Sequence, residues 1–138
     1  MQLFSQNLFF DRFVTEMQFA LRQLGARPGN ACVVRFGYGC RTARGAGLQP
    51  IPSGEHRVEP AALEAFVEES IRSGTFEPGE SDLHVVSADG KIRAVFCHEA
   101  DLHIATRESE LVDTFRSRWA ALGYGWHEAP SLPGEPSA

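Results

Sequence analysis

DLHVVSADGKIRAVFCHEADLHIAT, residues 82–106, is the stretch that decides the fold. Asp89-Gly90 at its centre is a strong two-residue hairpin signal, and the runs on either side are rich in Val, Ile and Phe. Closing that turn pairs Ala88 with Lys91, which sets His84 opposite Val95 and Asp82 opposite Cys97. A second turn around Glu99-Ala100 returns the chain through Leu102–Ala105. The register that separates polar from apolar best pairs Cys97 with His103 and Phe96 with Ile104. One face of this three-stranded meander then carries Leu83, Val85, Ile92, Ala94, Phe96, Leu102 and Ile104. The other carries Asp82, His84, Val86, Arg93, Val95, Cys97, Asp101 and His103.

Helices flank this meander. Upstream, Phe10, Phe13, Val14, Met17, Ala20, Leu21 and Leu24 recur at three- and four-residue steps and predict an amphipathic helix over 6–24, with Ser5 as N-cap and Gly25 beyond its end. ACVVRF (Ala31–Phe36) reads as a strand, and the following twenty residues suggest a second strand at 46–51 behind a glycine-rich tip. A second helix follows Pro60 and runs to Ser73. Downstream, Thr106 opens a third, whose buried stripe is Leu111, Val112, Phe115, Trp119 and Leu122 and whose end is Gly123. The expected order is α-β-β-α-β-β-β-α: an α+β domain over 1–127 with a five-stranded antiparallel sheet and three helices, then a disordered Pro/Ser-rich tail at 128–138. In element order this resembles the roadblock, longin and profilin-like group, an analogy of topology alone, with no motif to carry functional residues over.

Composition narrows the function classes. The chain has 138 residues with 43% hydrophobic and 22% charged, enough for one self-supporting core and too little for two. No apolar run reaches the roughly 20 residues of a membrane helix, and MQLFSQNLFFDRF lacks the basic start of a secretory signal. Cys32, Cys40 and Cys97 are an odd number without CxxC spacing, so neither a disulfide framework nor a zinc finger is expected. The net charge of −5 makes a poor nucleic-acid binder. Charge is nonetheless uneven: residues 1–57 hold seven arginines against three acids, and residues 58–138 hold six cations against fifteen acids. Twelve arginines to one lysine fits a GC-rich bacterial genome, and a cytoplasmic location follows from the rest.

Three sets of residues are candidates for function. His84, Cys97 and His103, with Asp82 and Asp101 beside them, share one sheet face; two imidazoles, a thiolate and a carboxylate suit zinc, or Cys97 could act as a nucleophile with His84 or His103 as base. His98 and Glu99 are expected at the turn, facing solvent. The Gly37–Gly47 segment offers Arg41 and Arg44, near Arg35, to an anion or an acidic partner. Phe19 points away from the first helix's stripe and Phe9 sits on its shoulder, which means either a wide buried face or a second contact surface. No GxSxG, HExxH or Walker lysine is present. The expectation is a small bacterial non-enzymatic interaction module (adaptor, chaperone-like or immunity-like) that binds a protein partner or itself as a homodimer, without cofactor, nucleic acid or membrane. The alternative is a small metal-dependent enzyme or metal sensor using the His/Cys/Asp set.

Overall fold

A computed structural model describes residues 1–37 and 54–130. Its elements are β1 (Gln2–Ser5), α1 (Phe10–Gly25), β2 (Cys32–Gly37), β3 (His56–Val58), α2 (Leu63–Arg72), β4 (Asp82–Val86), β5 (Ile92–Phe96), β6 (Leu102–Thr106), α3 (Ser109–Leu122) and β7 (Trp126–Ala129), with a 3-10 turn at Pro60–Ala62 leading into α2. The seven strands form one sheet in the order β3-β2-β4-β5-β6-β1-β7, and every neighbouring pair is antiparallel. The α+β class and three helices stand; the sheet has seven strands, not five. The strand expected at 46–51 lies outside the described residues, and β3 is what pairs with β2, Val34 opposite His56.

Both extra strands lie at one edge. β1 is only four residues long, with Leu3 and Ser5 buried and Gln2 and Phe4 half-buried. Ser5 therefore does not cap α1: its hydroxyl accepts the Leu102 N–H at 2.9 Å, inside the sheet. α1 starts at Phe10 instead, after the extended Phe9 and with no side-chain cap, and Asp11 supplies the negative charge that its N-terminus favours. β7 follows from the end of α3. Gly123 adopts φ 75°, and the Tyr124 N–H closes onto the Trp119 carbonyl at 2.8 Å, a left-handed cap that turns the chain back onto β1. β7 therefore runs to Ala129, past residue 127. α3 itself begins at Ser109, because Thr106 ends β6 and its hydroxyl accepts the Glu108 N–H at 3.1 Å. Leu122, expected in the buried stripe, is 47% exposed.

The β4–β5 register is the one the Asp-Gly turn predicts, with His84 opposite Val95. The β5–β6 register is corrected by two residues: Val95 faces His103 and Phe96 faces Leu102. The turn is tighter than expected, since the Cys97 N–H bonds the Asp101 carbonyl at 3.0 Å and the Ala100 N–H bonds the Cys97 carbonyl at 2.9 Å. Ala100 supplies the positive φ (60°) that such a short loop needs. A slip of two leaves every side chain on its own face. The inner-face residues Leu83, Val85, Ile92, Ala94, Phe96, Leu102 and Ile104 are accordingly all buried, and they join the stripes of all three helices in one core.

Two polar ties fix the helices. Glu16, buried in α1, accepts hydrogen bonds from Nε and Nη2 of Arg118, each at 2.8 Å, and from the Trp119 indole N–H at 3.2 Å. Arg27, just beyond α1, bonds Asp89 in the hairpin turn at 2.9 Å and also Glu108 before α3. Burial pushes the Asp89 carboxyl up, but bonds from Ser87, the Lys91 N–H and Arg27 outweigh it and hold the carboxyl below its ordinary value. A depressed carboxyl stabilises the fold above its unfolded pKa, about 3.9, and that stability is lost as pH falls through the lower folded value. Arg27→Gln is expected to cost about 1.5–3 kcal/mol at pH 7, the range for hydrogen bonds to charged groups. Urea unfolding at pH 7 and at pH 2.5 checks this: the gap between variant and wild type should shrink in acid, and an undiminished gap contradicts the assignment.

Candidate functional site

The outward face of the sheet carries a row of one residue per strand from β2 to β7, polar or aromatic except for Val95. The pairings Arg35–His84, His84–Val95, Val95–His103, His103–Phe4 and Phe4–His127 run without a break from β2 to β7. Phe4 holds two histidines of this row by ring contact, His103 edge-on at 4.8 Å and His127 stacked at 4.7 Å. His84 is half-buried, and desolvation, against the pull of Asp82, lowers its pKa, so the imidazole is held neutral. Arg93, His103 and Arg35 push the same way. Its Nε2 is buried without a hydrogen-bond partner.

One step along the strands lies the end of the sheet where the β5–β6 turn meets the start of β4. The tight turn brings Cys97 there, between Asp82 and Asp101. Asp82 is fully buried, and its Oδ1 accepts the His98 backbone N–H at 2.6 Å and lies 2.8 Å from His98 Nδ1. On the other side, Asp101 Oδ2 lies 2.8 Å from His103 Nε2. Cys97 Sγ is 3.7 Å from His98 Nδ1. The possible ligand atoms of Asp82, Cys97 and His98 fall within 4.8 Å of one another, and so do those of Cys97, Asp101 and His103. Four of the five expected residues therefore come together around the thiol. The fifth, His84, belongs to neither group, and His98 takes its place.

His98 is the residue that sequence reasoning missed. A turn residue has no fixed facing, and what draws this one inward is the carboxylate of Asp82, which needs donors at a buried strand start. The only available hint was the Asp82–Cys97 pairing, which puts Asp82 beside the residue that precedes His98.

Burial counts against Cys97 as a nucleophile, and its contact with His98 is not a relay. Cys97 is 1% exposed, and the His98 ring nitrogen 3.7 Å from its sulfur is the same one that faces Asp82. A thiol–histidine–carboxylate relay uses both ring nitrogens, one for each neighbour.

The other candidates fall elsewhere. Arg41 and Arg44 lie outside the described residues. Arg35 is exposed on β2 and pairs with Glu55, whose carboxyl that contact lowers. Phe19 is half-buried, edge-on to Phe115 at 5.6 Å and under the Arg118 guanidinium at 4.0 Å. It packs half-buried against the core, which fits the wide buried face for this residue. Phe9, by contrast, is 76% exposed, and its neighbour Phe10 is 64% exposed. Phe10 continues the helical stripe by spacing, yet the first buried residue of α1 is Phe13. The exposed aromatic pair is Phe9 and Phe10.

Compared with known protein families, with characterised proteins and with solved structures, the chain matches none. No described helix is long and apolar enough to cross a membrane.

Proposed function

We propose that this chain is a small non-enzymatic interaction module that associates with a second copy of itself through the aromatic surface at the start of α1. The observation that carries the reading is the exposure of Phe9 and Phe10 side by side. Among the described residues, the only other large apolar side chains left exposed are Met1 and Leu122. Burying a phenylalanine is worth about 1.5–3 kcal/mol, so two adjacent ones in water are a reserve for binding. The Arg12 guanidinium stands 5.7 Å from the Phe9 ring and 5.9 Å from the Tyr124 ring. Aromatic and arginine side chains in one patch are the composition enriched at binding hot spots.

Beside Phe9 lies a shallow cleft of about 170 Å³ lined by Gln6, Asn7, Leu8, Phe9 and Arg12. An exposed aromatic next to a side-chain-sized cleft supports a two-fold contact, in which Phe9 of each copy enters the cleft of the other. The donor cluster around Cys97 favours metal binding as a second property of the same module.

Sedimentation velocity over a concentration series tests the association. The wild type is expected to pass from monomer to dimer. Phe9→Ser combined with Phe10→Ser is expected to stay monomeric while stability changes by no more than about 0.5 kcal/mol per site, as for exposed positions. A wild type that remains monomeric, or a double variant that dimerises as well as wild type, contradicts the proposal.

A further inference from the structure

The carboxylate of Asp101 is half used. Oδ2 meets His103, while Oδ1 is buried and has no hydrogen-bond partner. A buried carboxylate oxygen left without a donor is costly, and it calls for a cation or a donor as its counterpart. The groups nearest in the cluster are the Cys97 thiol, buried at 1% exposure, and the His103 imidazole. We propose that Cys97, Asp101 and His103 bind one zinc ion, with His98, held by Asp82 on the other side of Cys97, supplying the fourth donor.

The donor set selects the metal class. A thiolate with imidazole and carboxylate is a borderline-soft mixture that suits zinc, whereas calcium and magnesium take oxygen ligands alone. The scaffold suits a closed site. Cys97 and Asp101 are tied by a backbone hydrogen bond of 3.0 Å across the tight β5–β6 turn, so the loop is already shaped before metal arrives. Asp82 faces His98 and Asp101 faces His103, each carboxylate–imidazole contact at 2.8 Å. A carboxylate in contact with a ligand histidine, as Asp82 is with His98, fixes the ring's tautomer and raises its basicity. The thiol proton leaves to solvent as the Zn–S bond forms, so binding weakens as pH falls. With the sulfur buried, and with His98 as the fourth donor, every ligand comes from the β5–β6 turn and the start of β6, so the ion is structural and staples that turn.

The site is independent of the Phe9–Phe10 surface, and its test reads metal directly. The full chain, stripped with chelator, is titrated with zinc by calorimetry and with cobalt(II) by absorption spectroscopy. The expected result is one zinc per chain, together with a tetrahedral cobalt spectrum that includes a thiolate-to-metal charge-transfer band. Cys97→Ala should abolish that band, and Asp101→Asn should lose stoichiometric zinc. Asp82→Asn, acting through His98, should weaken zinc by roughly 10–100-fold. His84→Ala should bind as wild type. Circular dichroism of each stripped variant establishes that it is folded. A folded wild type that takes up no stoichiometric zinc overturns the proposal, and so does a charge-transfer band that survives Cys97→Ala.

Discussion

Arg118→Met is expected to destabilise the fold by about 3–5 kcal/mol, the cost of leaving a buried carboxylate without its counter-ion. Glu16 is 1% exposed, and apart from the Trp119 indole its side-chain bonds come from the two nitrogens of Arg118. The change also removes the guanidinium from the Phe19 ring, 4.0 Å away. For a domain of this size the thermal midpoint should fall by roughly 10–15 °C. Changing Glu16→Met as well should recover most of the loss, because a buried ion pair is commonly replaceable by packed apolar side chains. A double-mutant cycle by urea unfolding measures both. If Arg118→Met alone costs under about 1 kcal/mol, the pair behaves like a surface contact and α1 is not held to α3 in this way.

Leu3→Ala is the second large effect, expected at about 2–5 kcal/mol as for other buried leucines cut back to alanine. Leu3 is fully buried in β1, paired with Ile104 of β6 on the core side of the sheet. The two edge strands depend on it in series, because among the described residues β7 pairs only with β1. Hydrogen exchange on the variant should therefore show faster exchange at the backbone amides of 126–129 as well as of 2–5. A loss below about 0.5 kcal/mol would mean that residues 1–5 are an appendage and that the working sheet has five strands.

The legible parts of the sequence are those where one local signal has one physical solution. Asp89-Gly90 marks the hairpin and with it the His84–Val95 register, although the turn itself closes from the Gly90 N–H onto the Ser87 carbonyl, with the Lys91 N–H taken by the Asp89 carboxylate. Gly123 ends α3 because the left-handed conformation there suits glycine. The split between inner and outer faces survived a register error, since the error was an even number of residues. β1 escaped because four residues carry too little alternation to stand against a long helical stripe, and Ser5 looks like a cap until Leu102 is known to lie opposite. The outer-face cluster was legible to the same degree. Asp82, Cys97, Asp101 and His103 follow from strand parity, but His98 sits in a turn where parity does not apply. Phe19 shows the limit of a helical wheel: its ring lies off the stripe, and it is Phe115 and Arg118 on α3 that cover it.

Self-association is the central claim, and a native mass spectrum of the untagged chain, purified without chelator, tests it most directly. The account predicts a mass of two chains that falls to one when Phe9 and Phe10 are both serine. A single-chain mass for the wild type at every concentration sampled would contradict it.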